Sequence, residues 1–224
     1  MQGLDIAYML DLIPVIASYV PLTLFMAVMS MIAGLVLAAV MAVIRVIEVP
    51  YLHRVVAVFI SFFRGTPLLV QLFLFYFGLP QMVTSLKNLD GVSAAVIGLT
   101  LHFAAYMAES IRGAILGVDR SQWEAAASVG MTQKQVLTRI ILPQATRTAA
   151  PTLMNYFIDI IKSTSLAFTL GVTEMMGAAQ KEASSTFLYP EAFLVVAVFY
   201  WVIVETLSAG QRRLEHRLGK AVSR

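Results

Sequence analysis

The sequence predicts an all-α membrane protein with five membrane-spanning helices. Of its 224 residues, 59% are apolar and 13% are charged, whereas a soluble domain carries about a quarter charged residues. The mean hydropathy is +0.80. Two segments without any charge, Leu12–Ile44 and Gly65–Leu86, are also longer than the roughly 20 residues needed to cross a hydrocarbon core. Lipid is therefore the expected solvent for most of the chain.

Five segments are predicted to span the membrane. Three of them contain no charge, and two contain charges that must face protein or a water-filled cavity. In chain order the five are Leu12–Ile44, Gly65–Leu86, Gly91–Ala108, Thr152–Leu170 and Ala192–Ala209.

The residues before the first span carry acidic groups, Asp5 and Asp11. A secretory signal peptide would begin with positive charge, so the first span is expected to be retained. Leu4–Leu12 is alternatively a short interfacial helix, which Pro14 and Pro21 would separate from the true span.

Lys and Arg residues are divided unevenly between the loops on the two sides of the predicted spans. Positively charged loops stay in the cytoplasm, so the bias predicts an outside N-terminus and a cytoplasmic C-terminus. The net charge of +3 then reflects topology, and nucleic-acid binding is not expected. One side has only Lys87 and Lys181, and the other has twelve cations: Arg45, Arg54, Arg112, Arg120, Lys134, Arg139, Arg147, Arg212, Arg213, Arg217, Lys220 and Arg224.

The most specific pattern is the polar stretch EAAASVGMTQKQVLTRIILP at Glu124–Pro143. Two short amphipathic helices are predicted here, with Gly130 between them. Ser121 is the expected N-cap of the first, with Glu124 completing a capping box. Thr132 is the expected cap of the second, which Pro143 would end.

One face of the first short helix carries mostly small residues: Trp123, Ala126, Ala127 and Gly130. Small side chains would let another backbone approach closely at this face, so it is predicted to be a docking surface. A plain amphipathic pair that rests on the membrane surface is the alternative interpretation.

The stretch resembles the EAA loop of the membrane-spanning subunits of bacterial ATP-binding-cassette importers. In those proteins the loop couples the spans to the ATP-hydrolysing subunit. The matching positions are Glu124, Ala125, Ala126, Gly130, Ile140, Leu142 and Pro143.

Three further segments are similar to permeases of the polar amino acid uptake group, with the cystine and glutamine types nearest in character. They are Phe63–Pro80, Ala105–Glu109 with Arg112, and Leu142–Ala167. The sequence departs from many of these relatives at His102-Phe103, where they have small or amide residues.

The resemblance implies one permease domain over residues 1–224, with the five-helix core of the type I importer fold and a coupling loop at about 119–147. It also implies an ATPase subunit dimer that binds ATP and Mg, a periplasmic or extracellular solute-binding protein, and a second permease, either identical or related. The implied location is the bacterial cytoplasmic (inner) membrane, and the implied cargo is a polar amino acid such as cystine or glutamine.

The chain itself is expected to perform no catalysis. It contains no GxxxxGK[ST] motif to hold nucleotide phosphates. It also has no cysteine, which excludes disulfides and thiolate metal sites. His102 is expected to be a hydrogen-bonded core histidine, because no other histidine or carboxylate cluster accompanies it. No cofactor or metal is therefore expected on this chain.

Charges inside the predicted spans need partners or a role. Asp159 and Lys162 are three residues apart and are expected to pair on one helix face. The sequence also places polar residues along the same helix, where they are predicted to line the substrate path and to meet the ammonium or carboxylate of an amino acid: Thr152, Asn155, Tyr156, Asp159 and Ser163.

Glu109 and Arg112 form a second predicted pair, with a structural or gating role. Arg64, just before Pro67, is expected to reach toward the interface or toward carbonyls exposed by a helix break at that proline. The basic segment Gln211–Lys220 is expected to lie against membrane lipid.

Two other functions fit parts of the pattern. A small ion-coupled carrier or channel would use Asp159, Lys162 and Glu109 as an ion relay and would work without ATP. A scaffold membrane protein would have no path at all. The carrier or channel does not explain an amphipathic loop with the complete EAA pattern, because an ion relay needs no such loop.

Overall fold

The structure is a computed structural model that describes residues 4–222, apart from the side chains of Ser85 and residues 214–222. The described residues form α-helices and helical turns without any strand, which confirms the all-α class. The helices are α1 (Ile6–Val46), α2 (Leu52–Gly65), α3 (Leu68–Phe73), α4 (Leu79–Met82), α5 (Gly91–Leu116), α6 (Arg120–Ser128), α7 (Gln133–Val136), α8 (Leu142–Ser163), α9 (Met175–Thr186) and α10 (Tyr189–Val222).

Three segments in the described part of the chain are long and apolar enough to cross a membrane: α1, α5 and Tyr189–Arg213 within α10. A fourth is added if α2 and Leu68–Met82 count as one span with a bend of 110°. Helix α8 has 22 residues, about 33 Å at 1.5 Å per residue. However, it carries Arg147, Asp159 and Lys162, so it is long enough but less apolar. The five-span count therefore remains a prediction.

Helix α1 runs without interruption for 41 residues, through both Pro14 and Pro21. It begins after Asp5, whose side chain accepts a hydrogen bond from the Tyr8 backbone N–H at 3.0 Å. The interfacial helix Leu4–Leu12 is therefore not separate from the first span. Packing explains the continuity, because Leu12 and Ile16 are buried against α9 and α10 and hold this end of the helix in place.

The helix is interrupted sharply at Thr66 and Pro67, as predicted from the proline at this position. A separate helix, α2, precedes the break and ends at Gly65, so the second predicted span, Gly65–Leu86, begins at the break and stays a prediction. Thr66 is extended, with φ −122° and ψ 147°, as expected for a residue that precedes proline.

The buried Gln71 side chain supplies a hydrogen bond that is missing at this break. Pro67 has no N–H to donate to the Phe63 carbonyl four residues earlier. Gln71 Nε2 donates to that oxygen instead, at 3.0 Å, and also to the Thr66 carbonyl at 3.1 Å. Gln71 Oε1 lies 3.0 Å from His102 Nδ1, which confirms the predicted hydrogen bonding of His102. The side chain is half-buried and does not belong to the fully buried core.

Small residues bring α1 and α5 together along the centre of the molecule. A Cβ on Gly34 would lie 2.9 Å from the Met107 Cε atom and 3.4 Å from the Thr100 carbonyl oxygen. The two helix backbones are therefore in close contact at this glycine. Alanines continue the same contact on both helices: Ala27, Ala38, Ala104, Ala105 and Ala108, all fully buried.

Two glycines in close contacts should respond differently to alanine. A Cβ on Gly177 in α9 would lie 2.4 Å from the Val172 carbonyl oxygen, which is backbone and cannot rotate away. We expect Gly177→Ala to destabilise the protein by about 1–3 kcal/mol. Gly34→Ala should stay within about 1 kcal/mol of wild type, because the Met107 tip can move and alanine favours helix. Thermal unfolding in detergent tests this, and equal midpoints for the two variants would contradict it.

Candidate functional site

The EAA loop folds as two short helices, α6 and α7, with a turn at Gly130. Gly130 has φ +77°, a conformation that glycine adopts without strain. The N-cap of α6 is Asp119, whose side chain accepts the Ser121 backbone N–H at 2.8 Å. This hydrogen bond holds the pKa of the Asp119 carboxyl below its ordinary value. The prediction that Ser121 caps this helix with Glu124 is therefore wrong.

Thr132 caps α7, as predicted. Its side chain accepts the Gln135 N–H, and the Gln135 side chain accepts the Thr132 N–H at 2.8 Å. The prediction that Pro143 ends this helix is wrong. The chain passes through a π-helical turn, Leu137–Ile141, directly into α8. Pro143 lies in the first turn of α8, where a missing N–H removes no intrahelical bond.

The inward side of the loop packs on the rest of the chain. Ala126 is 6% exposed and belongs to a buried cluster with Ile115 of α5 and Ala145 of α8. The predicted docking face of α6 is therefore divided: Trp123 and Ala126 point inward, whereas Ala127 and Gly130 are exposed. Other apolar residues of the motif also pack on this cluster: Ile140, Ile141 and Leu142.

The outward side of α6 carries Glu124, Ala125 and Ala127, and Val129 beyond it is 75% exposed. Glu124 Oε1 accepts a hydrogen bond from Arg120 Nε at 3.1 Å. Because the two side chains are 68% and 91% exposed, this pair contributes at most about 0.5 kcal/mol. Glu124 is therefore nearly dispensable for folding, which leaves its role on the surface to be explained.

A polar cleft lies at the far end of α8. Lys162 Nζ pairs with Asp159 Oδ1 at 2.7 Å, as predicted. Both residues line a cleft of about 480 Å³. Its other lining residues are Phe103, Ser163, Ser165 and Leu166.

The remaining residues of the predicted stripe are not among the residues that line this cleft. Asn155 Oδ1 accepts a hydrogen bond from Gln211 Nε2 of α10 at 2.9 Å. The Tyr156 hydroxyl is hydrogen bonded to Ser110 of α5 at 2.9 Å. Thr152 is exposed one turn earlier. Asn155 and Tyr156 therefore join α8 to neighbouring helices, whereas Asp159, Lys162 and Ser163 surround the cleft.

The second predicted ion pair is also present. Arg112 Nη2 contacts Glu109 Oε2 at 2.7 Å, and Arg112 Nε contacts both carboxylate oxygens at 3.1 and 3.2 Å. No hydrogen bond or ion pair among the described side chains connects this pair to Asp159 and Lys162. Among the described side chains the two ion pairs are therefore separate from each other.

Arg64 makes a contact that the sequence did not predict. Its guanidinium carbon lies 5.4 Å from the centre of the Tyr106 ring, within cation–π range. Gln71, and not Arg64, donates to the Phe63 and Thr66 carbonyls near Pro67, so this alternative is wrong. The other alternative, that Arg64 reaches toward the membrane interface, stays a prediction.

Sequence reasoning missed a buried carboxylate. Glu174, at the start of α9, is 0% exposed. A lone acidic residue within a long stretch of low charge was the available signal. The absence of a metal from this chain stays a prediction. The described residues contain no group of three or more His, Asp or Glu side chains that could hold a metal ion.

Comparison with known proteins identifies the family. Residues 34–220 match the model of the binding-protein-dependent transport system inner membrane component. The chain is 58% identical to the probable amino-acid ABC transporter permease protein PatM of Vibrio harveyi, over 100% of both chains. It is 44% identical to the probable amino-acid permease protein YxeN of Bacillus subtilis, over 98% of both. It is 34% identical to the L-cystine transport system permease protein TcyL of the same species, over 100% of this chain and 95% of that one.

Solved structures agree with this assignment. A crystal structure of an amino acid ABC transporter with histidines has a TM-score of 0.88 at 31% identity, covering 96% of this chain and 100% of that one. The MetNI methionine ABC transporter in an inward-facing conformation has a TM-score of 0.80 over 93% of this chain and 98% of that one, and at 19% identity it supports the fold alone. The chain belongs to the family of inner membrane components of binding-protein-dependent transport systems.

Proposed function

We propose that this chain is the permease subunit of an ATP-binding-cassette importer that carries polar amino acids into the bacterial cytoplasm. The observation that carries the proposal is the exposed face of α6, where Glu124 is presented although it contributes little to folding. A helical surface that makes few contacts with the rest of the chain fits a docking role. The names of the relatives, which include amino-acid and L-cystine permeases, support the cargo class.

The proposed topology has five spans, an outside N-terminus and a cytoplasmic C-terminus in the inner membrane. The distribution of cations supports it. In this arrangement α8 is the fourth span, and its charged side chains face the transport path rather than lipid. The segment Gln211–Lys220 would lie at the cytoplasmic lipid surface. Its backbone continues α10, but its side chains from residue 214 lie outside the described part of the chain.

ATP and Mg would be bound by a separate ATPase dimer, which docks on α6 through Glu124, Ala125 and the Gly130 turn. The buried cluster of Ala126, Ile115 and Ala145 joins α6 to α5 and α8. Closure of the ATPase would therefore move the helices that line the polar cleft. A second permease, identical or related, would supply the other half of the path and the second coupling loop.

The cleft suits a zwitterion. Lys162 can attract a carboxylate and Asp159 an ammonium group, and both are about half exposed in their ion pair. Because the two charges already neutralise each other, an incoming amino acid would exchange one ion pair for two. A solute-binding protein would deliver this amino acid, with cystine and glutamine as the first candidates.

The principal experiment measures ATP hydrolysis and uptake in proteoliposomes that contain this chain with its ATPase and a solute-binding protein. We expect hydrolysis to rise at least severalfold when the binding protein is loaded with its amino acid, because loading must be signalled through α6. The unloaded binding protein is the control. Uptake that proceeds without ATP would contradict an importer and favour an ion-coupled carrier.

Glu124→Arg should abolish coupling while leaving the protein folded. The lost Arg120 pair is worth at most about 0.5 kcal/mol, but the reversed charge would oppose docking. We expect stimulated hydrolysis and uptake to fall at least tenfold, with thermal unfolding unchanged. Gln122→Arg is the matched control, since Gln122 is exposed on the same short helix outside the EAA positions. Normal uptake by Glu124→Arg would refute the coupling role.

Asp159→Asn should impair uptake or change the preferred amino acid. It removes the partner of Lys162 and the proposed ligand of the substrate ammonium group. Loss of a hydrogen bond to a charged group corresponds to about tenfold or more in affinity. Asp11→Asn is the control, because Asp11 is exposed on α1 and does not line the cleft. Competition between unlabelled amino acids in the uptake assay measures the preference. Unchanged rate and unchanged preference would exclude Asp159 from the path.

A further inference from the structure

The buried Glu174 carboxylate joins three helices. Oε1 accepts the Gly177 backbone N–H of α9 at 2.9 Å. Oε2 accepts the Tyr200 hydroxyl of α10 at 2.9 Å and the Thr23 hydroxyl of α1 at 3.4 Å. The Thr23 oxygen in turn accepts the Met175 N–H at 3.4 Å. We call Glu174, Thr23, Tyr200 and the Gly177 amide the Glu174 node.

The Glu174 node has no cation in it. Glu174 takes part in none of the ion pairs formed by the described side chains. A fully buried carboxylate is costly unless it is well hydrogen bonded. All its hydrogen bonds run to helix starts or to neighbouring helices, so the stabilisation depends on these elements remaining in place together.

The node also fixes residues 164–174, which we call the connecting segment because it joins α8 to α9. The Gly177 Cα lies so near the Val172 carbonyl that a Cβ would be 2.4 Å from it. At the start of α5, a Cβ on Gly91 would be 2.9 Å from the Leu170 carbonyl oxygen. The connecting segment is therefore held by backbone contact on two sides, and Glu174 anchors the end next to α9.

Residues of the connecting segment form a wall of the polar cleft. Ser165 of this segment lines the cleft that contains Asp159, together with Lys162 at the end of α8. The same two residues also line a neighbouring cavity of about 320 Å³, together with Tyr200 and Met176. Tyr200 therefore shares a cavity with Lys162 and Ser165, while its hydroxyl donates to Glu174 Oε2.

From this geometry we infer that Glu174 is a positioning residue for transport: it anchors the connecting segment, so that Lys162 and Ser165 keep their places in the walls of the cleft. This inference rests on the proposed function for its effect on uptake. It does not require Glu174 to touch the substrate. Glutamine at this position fills the same volume but cannot accept hydrogen bonds from Gly177, Tyr200 and Thr23 together.

The test compares Glu174→Gln with Glu182→Gln. Glu182 lies on the same helix, and its carboxylate makes no hydrogen bond or ion pair with the described side chains. Because the chain has no cysteine, Ser165→Cys provides a single reporter whose labelling by a maleimide measures access to the connecting segment. Tyr200→Phe, which removes one donor and no charge, is the second variant in case Glu174→Gln does not fold.

We expect Glu174→Gln to raise the labelling rate of the reporter at least about fivefold, since one buried acceptor is lost. The amount of amino acid carried per ATP should fall about tenfold, while hydrolysis per assembled complex stays within about twofold. Tyr200→Phe should move both readouts in the same direction by a smaller factor. The double variant should be no worse than Glu174→Gln alone, because the two side chains act through one bond.

Two outcomes would overturn the inference. The first is that Glu174→Gln and Tyr200→Phe give the same reporter labelling rate, and the same amount of amino acid carried per ATP, as Glu182→Gln. The other is a proportional loss of uptake, hydrolysis and assembled complex, which would mean that Glu174 only stabilises the fold. The proposed function fails separately: if Asp159→Asn leaves uptake and preference unchanged, the cleft is not the path, but the labelling rate still shows whether Glu174 holds the connecting segment.

Discussion

The close contact of α1 with α5 is the constraint on which the rest of the structure depends. In lipid there is little hydrophobic gain from joining two helices, so association relies on van der Waals packing between small residues. Gly34 and the buried alanines of both helices provide such a surface. The side chains of α2 and α8 then complete the same core, with Phe63 and Ile160 among the buried residues. The other elements are arranged around this pair.

Polar side chains fix the elements that small residues cannot. Gln71 replaces the hydrogen bond that Pro67 cannot make. The chain can therefore turn sharply here while the Phe63 carbonyl keeps a hydrogen-bond donor. Glu174 accepts hydrogen bonds from α1, α9 and α10 and so joins these three helices. A buried acceptor with a lost partner costs about 1–3 kcal/mol. Such groups therefore specify one arrangement of helices more sharply than apolar contacts do.

The two candidate functional regions are connected through α8. At one end of α8, Ala145 packs in the cluster that holds the EAA loop. At the other end, Asp159 and Lys162 line the polar cleft. Helix α8 is continuous over the 22 residues between these two ends, through Pro151. This arrangement gives a direct physical connection between the EAA loop and the polar cleft.

The sequence by itself determined the all-α class, the Thr132 cap, the helix break at Pro67, the two i,i+3 ion pairs and the presence of the EAA loop. These features depend on residues close together in the chain, where spacing and side-chain type decide the outcome. The Asp119 cap of α6 is local as well, since its partner Ser121 is two residues later, but Asp119 and Ser121 are both favoured N-cap residues. Only the tertiary structure decided that Pro143 begins a helix instead of ending one and that Ala126 faces inward. The tertiary structure also decided the Gln71–His102 contact and the Glu174 node, because their partners are distant in sequence. Periodicity shows which residues share a helix face, but what that face meets depends on where the other helices pack.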